Sequence, residues 1–295
     1  MGGLTDVDEI IMSMAPDQAD RLRALVRDNR GMCRLVAVTS GKGGVGKTNM
    51  AINAAICLAA HGHRVVLIDA DLGLANADVL LDVNAPFNLG HVINGAKTIE
   101  EILVDAPGGI KLILGTSGVG RLVNLSEFER HNLVRSMAQL ESLADVVVLD
   151  CAAGISRNVM TFAAAADHVL VITTPEPTAL TDAYATIKVL SRERFASTLG
   201  VVVNFAGSSG EARAAAHRLI EVAHRFLGLQ VTDIGYVLRD EHVPMAVRQR
   251  VPVVLKYPRA PASSCLAAVA SKLARETFTV ESEDGFFRRV ANLFL

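Results

Sequence analysis

The chain has 295 residues, 51% of them hydrophobic, with a formal net charge of −2 and four cysteines. That length holds one large α/β domain or two small ones with a sizeable core, the near-neutral charge excludes a global pull toward nucleic acid, and no apolar run reaches the ~18 residues of a transmembrane helix. Cys33, Cys57, Cys151 and Cys265 are scattered without CxxC spacing, which fits a reduced cytosolic protein with neither a zinc site nor a disulfide framework.

Residues 1–30 read as an arm. Met1 to Asp20 is acidic and lacks a basic region followed by an apolar core, so no signal peptide is expected. From Pro16 the order is proline, then acids, then Arg21 and Arg23, which suits the dipole of a short helix. Ala19, Leu22, Leu25 and Val26 share one face, and Asn29-Arg30-Gly31 ends it. So short a helix needs a surface, either its own domain or a partner.

The stretch around which the chain is organised follows: Ser40-Gly41-Lys42-Gly43-Gly44-Val45-Gly46-Lys47-Thr48, between an apolar β-type run and a helix-forming run. Strand, glycine loop and helix are the context of a P-loop. The loop amides turn inward to cradle a polyphosphate, helped by the positive end of the helix. Lys47 is expected at the β- and γ-phosphates and the Thr48 hydroxyl on Mg²⁺.

Beyond it the chain alternates. Strands are predicted at 35–39, 64–69, 111–115, 145–150, 168–173, 199–204 and 233–237, short and apolar on both faces. Helices are predicted at 48–60, 126–142, 158–165, 179–194, 210–227 and 261–276. The fold class is α/β, a mostly parallel doubly wound sheet, with ligands at the carboxyl ends of its strands.

Those ends hold the informative residues. After the second strand, Asp69 and Asp71 are spaced to face one way; one can help hold Mg²⁺-bound water and the other orient an attacking water. After the fourth comes Asp150-Cys151-Ala152-Ala153-Gly154. After the fifth, prolines 175 and 177 stiffen the exit and Thr178 is placed to cap the next helix. The sixth ends in Asn204, whose amide can pair with an adenine edge or cap a turn. Asp240, in Arg239-Asp240-Glu241 after the last strand, is expected to close the base pocket. Between Lys188 and Arg259 eleven Lys or Arg face six Asp or Glu, a surplus that reads as solvated helix faces or as a phosphate-facing patch.

The last twelve residues are Asp284-Gly285-Phe286-Phe287-Arg288-Arg289-Val290-Ala291-Asn292-Leu293-Phe294-Leu295. On a helix, Phe286, Phe287, Val290, Leu293 and Phe294 share an apolar face, with Arg288 and Arg289 opposite. This suits an amphipathic helix on anionic membrane lipid; docking in a groove of its own domain explains the pattern too.

The loop's early second lysine, Lys42, completes KGGVGKT, which resembles the deviant Walker A motif of the MinD/ParA family of P-loop ATPases. The resemblance covers roughly residues 34–276 and implies ATP and Mg²⁺ as ligands. It implies that Lys42 crosses to the partner's nucleotide in an ATP-sandwich homodimer, and that Asp71 is the residue hydrolysis needs. Asp150 to Gly154 is similar to the family's D-x-x-A-G stretch, so Asp150 would hold Mg²⁺ through water and the Gly154 backbone would sense the γ-phosphate. The nitrogenase iron protein shares the fold and bridges a cluster with two cysteines per subunit; no second suitable cysteine stands here, and Cys151 reads as a small buried residue. The family has an Asn at 204 for adenine, followed by Arg where this chain has Phe205. In family dimers the 174–183 region faces the other subunit.

Within the family, Asp17-Gln18-Ala19-Asp20-Arg21-Leu22-Arg23 matches the DQAxxLR motif of the branch that regulates flagellar number and placement. That likeness implies three parts: an arm over 1–30, an ATPase domain over 31–280 and a membrane-targeting helix over 281–295. It implies that the arm, through Asp17, Gln18, Ala19, Leu22 and Arg23, stimulates an FlhF-type signal-recognition GTPase. It also implies restraint of a flagellar master transcription activator, contact with flagellar switch or basal-body proteins, and a cytoplasmic protein peripherally bound to the membrane, at the pole, in the ATP state. Rival readings are a Min-type division-site ATPase, a ParA-type ATPase with salt-dependent DNA binding, and a metabolic P-loop enzyme. Direct nucleic-acid binding is not expected.

Overall fold

The computed structural model describes residues 33–70, 76–115, 126–156, 159–160, 163–164, 166–192 and 198–279. The arm, Asp71 and the C-terminal Phe/Arg segment lie outside the described residues.

Eight strands form one sheet: β1 (Arg34–Ser40), β2 (Val65–Ala70), β3 (Val104–Ala106), β4 (Ile110–Leu114), β5 (Val146–Ala153), β6 (His168–Thr173), β7 (Thr198–Ala206) and β8 (Val231–Leu238). Their order is β3-β4-β2-β5-β1-β6-β7-β8. All pairs are parallel except β3 with β4. The seven predicted strands are present. The edge strand β3 escaped prediction because three residues, one of them exposed, carry no apolar run to read.

β1 is central, between β5 and β6, and the strand order reverses there. It is buried almost throughout, and its side chains alternate between two cores. Val36 and Val38 face α1 (Lys47–Ala60); Leu35 and Ala37 face the opposite layer. Burial of a Val or Leu side chain stabilises by roughly 1.5–3 kcal/mol, so a one-residue slip of β1 would reverse its pattern in both cores.

Between β2 and β4 the chain makes three short helices, α2 (Ala77–Leu81), α3 (Leu89–Ile93) and α4 (Ile99–Ile102), ahead of α5 (Glu127–Leu143). α4 starts with a reciprocal capping box, Thr98 with Glu101, a signature visible in the sequence. Further helices are α6 (Pro177–Leu190), α7 (Ser209–Leu227), α8 (His242–Arg248), α9 (Val253–Lys256) and α10 (Pro261–Thr279). Val159, Met160, Ala163 and Ala164 are helical within the predicted 158–165 segment.

The expectation for Thr178 is corrected. α6 begins earlier, with Pro177 in its first turn and Glu176 as N-cap, and no side chain caps it. Proline is pre-set for that first position, where its missing amide would have had no partner within the helix. Among the described residues no helix is long and apolar enough to cross a membrane.

Candidate functional site

β1 delivers the glycine loop to the carboxyl edge at the centre of the sheet, and α1 starts at Lys47. The helix's first residue follows Gly46, whose φ of 85° lies in the left-handed region. Glycine is needed there for a second reason: a Cβ on Gly46 would collide with the Asn204 amide. No side chain caps α1. Its first amides therefore stay available to an anion, where the helix dipole is positive. Gly43 and Gly44 border open space, so the loop is a cradle with room in it. Gly41 sits at the opposite extreme, packed so closely on the Asp182 carbonyl of α6 that no side chain fits.

Lys47 is buried, and its Nζ donates to Asp150 Oδ1 at 3.2 Å. Burial pushes the Asp150 carboxyl up to about 6, although Lys47 and the Thr48 hydroxyl both favour its charged form; the Asp69 carboxylate adds to the rise. β2 and β5 pair Asp69 with Asp150 directly, which sets the two carboxyls side by side. Asp150 Oδ2 is buried with no hydrogen-bond partner, as are the hydroxyls of Thr39 and Thr174 at the same edge. Buried polar atoms in folded proteins are rarely left so, and water, an ion or a ligand usually completes them.

These residues fit ATP with Mg²⁺. The loop offers amides and a buried lysine to the phosphates. Thr48, Asp150 and Asp69 offer hard oxygens, and Mg²⁺ favours one or two carboxylates plus substrate phosphates. Bound there, the ion would neutralise charge on the phosphate oxygens. Asp69 has a structural duty as well. Its Oδ2 accepts from the amides of Asn76 and Ala77 at 2.9 and 3.0 Å, which ties the start of α2 back to the end of β2.

Other predicted residues take positions that the sequence did not reveal. The Gly154 amide donates to Ser40 O at 2.8 Å, so this stretch is closed against the end of β1. Asn204 Nδ2 donates to Val45 O at 2.8 Å and its Oδ1 accepts from the Phe205 amide at 2.9 Å; the residue braces the phosphate loop. Asp240 accepts from the His242 and Ala262 amides at 2.9 and 3.0 Å, in the first turns of α8 and α10, and these bonds hold its carboxyl below the usual range against the opposing effect of burial. Its neighbour Arg239 donates its amide to Ala206 O, which lays the 239–241 segment beside the end of β7. Cys151 is buried in β5, as expected.

Lys42 does not enter its own loop. Its Nζ lies 3.3 Å from Glu176 Oε2 and 3.4 Å from Thr178 Oγ1, and the lysine and glutamate side chains are 43% and 63% exposed. An ion pair so exposed contributes at most about 1 kcal/mol. Glu176 and Thr178 therefore hold the lysine at the surface loosely, a role for which their sequence positions gave no signal.

Residues 33–198 match the family model described as an AAA domain. The antiactivator FleN of Pseudomonas aeruginosa is 41% identical over 240 residues, 81% of this chain and 86% of that protein. The flagellum site-determining protein YlxH of Helicobacter pylori is 35% identical, covering 79% and 82%. Among solved structures, the septum site-determining protein MinD of Pyrococcus horikoshii, complexed with Mg-ADP, superposes with a TM-score of 0.68 at 23% identity, over 84% of this chain and all of that one, a likeness of fold. A P-loop on the central strand, the lysine signature within it and this extent of identity lead to one assignment: the chain belongs to the FleN/YlxH group, also called FlhG, of the MinD/ParA family of P-loop ATPases.

Proposed function

We infer that the protein is an ATP-driven switch that sets flagellar number or placement. The observation that carries the reading is the state of its two loop lysines: Lys47 buried against Asp150, Lys42 outward on a weak ion pair. One lysine serves the chain's own nucleotide and the other is free to serve a partner's. Two subunits close face to face on ATP, and each Lys42 exchanges Glu176 for phosphate oxygens across the interface. Thr48, Asp69 and Asp150 hold Mg²⁺, Asp71 orients the attacking water, and the Gly154 stretch leaves Ser40 when a γ-phosphate is present. Asn204 and the Arg239–Glu241 segment border the base. Basal turnover is slow because pairing must first assemble the site.

The relatives' names, antiactivator and flagellum site-determining protein, support a flagellar output. Residues 1–30 are the part that stimulates an FlhF-type GTPase, 31–280 the ATPase domain, and 281–295 a helix that places the ATP dimer on anionic lipid at the inner face of the membrane. Two such helices bind far better than one, because the second engages at a high effective concentration. A flagellar transcription activator and basal-body proteins are further partners of the same switch.

The arm is tested by the GTPase rate of an FlhF-type protein with and without a peptide spanning residues 1–30. Stimulation that disappears with Gln18→Ala is the expected result. A rate unchanged by the wild-type peptide removes the arm as an output and brings division-site and DNA-partition readings level with this one.

A further inference from the structure

The end of β7 departs from a regular strand at the point where it meets the phosphate loop. The pairing of β7 with β8 shifts first where Val201 lies opposite Asp233 and Val202 opposite Gly235, β8 carrying the extra residue; after Val203 opposite Tyr236 the next pair is Ala206 opposite Leu238, so β7 carries one extra residue there. A bulge of this kind re-aims side chains and is frequent beside functional sites. Asn204 and Phe205 are the residues within it. In a regular strand they would point to opposite faces of the sheet. Here both border Gly46: a Cβ on that glycine would meet the Asn204 amide and stand 3.2 Å from Phe205 Cζ.

Phe205 reaches this position with φ 57°, in the left-handed region. A bulky residue rarely adopts that conformation, and such strain gathers at ligand clamps. The surroundings enforce it. The Asn204 side-chain Oδ1 accepts from the Phe205 amide, and the Arg239 amide fixes the following residue through Ala206 O. Phe205 is only partly buried, so an apolar aromatic surface stands beside Gly46 at the start of α1. Asn204, meanwhile, is committed to Val45 O and to the Phe205 amide.

We propose that Phe205 is the wall on which the nucleotide's base packs, and that Asn204 acts mainly as the brace that aims it. This rests on the nucleotide reading of the loop. Stacking on an aromatic ring tolerates any base, since every base has a π-face. Phe205 therefore supplies affinity for a nucleoside over bare phosphate, without choosing between adenine and guanine.

The test is titration of the full chain, in Mg²⁺ buffer, with ATP, with GTP and with inorganic tripolyphosphate. In Phe205→Ala the Kd for ATP and for GTP should each rise about tenfold or more, and that for tripolyphosphate should stay within about twofold of wild type. Phe205→Leu keeps apolar bulk without a ring face and should behave as Phe205→Ala does, which covers a failure of the alanine variant to fold. Phe205→Tyr should retain wild-type affinity. Equal weakening for tripolyphosphate and ATP would reduce the ring to a support of the loop and overturn the proposal, as would unchanged ATP affinity. A wild-type chain that binds neither compound overturns the nucleotide reading itself, a result distinct from either.

Discussion

Lys47→Ala loses most of its nucleotide affinity. The lysine is the one positive side chain that the glycine loop places inside the site, its Nζ 3.2 Å from Asp150 Oδ1 with both groups buried. A charge-assisted hydrogen bond to a phosphate oxygen is worth about 1.5–3 kcal/mol, so titration should show ATP affinity lower by roughly one to two orders of magnitude. The substitution also leaves the Asp150 carboxyl buried without its cation, a situation that typically costs about 3–5 kcal/mol when the charge persists. Asp150 has a cheaper course, because burial already pushes it up to about 6 and removing Lys47 pushes it further, toward the neutral acid. The variant should therefore fold, melt below wild type, and recover stability when Asp150→Asn is added. ATP binding should not recover in that double variant. Normal ATP affinity in Lys47→Ala would contradict the role of the loop.

Asp71→Ala separates binding from hydrolysis. Asp71 lies outside the described residues, but the ends of its segment are fixed: Asp69 at the end of β2 accepts the amides of Asn76 and Ala77. Asp69 is paired in register with Asp150 at the carboxyl edge. General-base and water-positioning groups contribute about 10²- to 10⁴-fold to rates. Phosphate release at saturating ATP should fall by at least the lower figure while ATP affinity holds, and the variant should accumulate as an ATP dimer that sediments with anionic vesicles. Unchanged hydrolysis would remove Asp71 from the mechanism.

What was legible in the sequence shares a cause. The seven long strands were read because burial on both faces requires an unbroken apolar run. The phosphate loop was read because its backbone path is dictated by consecutive glycines. The 77–106 region was not read, since its elements are three to five residues long and lie below any periodicity; the Thr98–Glu101 capping box was the available signal. Contacts between distant residues were invisible for another reason. Lys42 and Glu176 are 134 positions apart, and Asn204 and Val45 are 159 apart. Only the strand order brings them together, and composition does not encode it. Asn204 was assigned to the base from its strand end and the family likeness, and Asp240 from its place after the last strand; the packing gives each a bracing duty that neither signal carried. The β7 bulge, which turns Phe205 toward Gly46, is likewise a property of pairing with β8.

The central claim is that ATP joins two subunits through Lys42, and sedimentation of the full chain tests it most directly. Asp71→Ala should run as a monomer with Mg-ADP and as a dimer with Mg-ATP, and Lys42→Ala added to it should restore the monomer while ATP remains bound. A chain that binds ATP and stays monomeric, or a dimer indifferent to Lys42, would contradict the account.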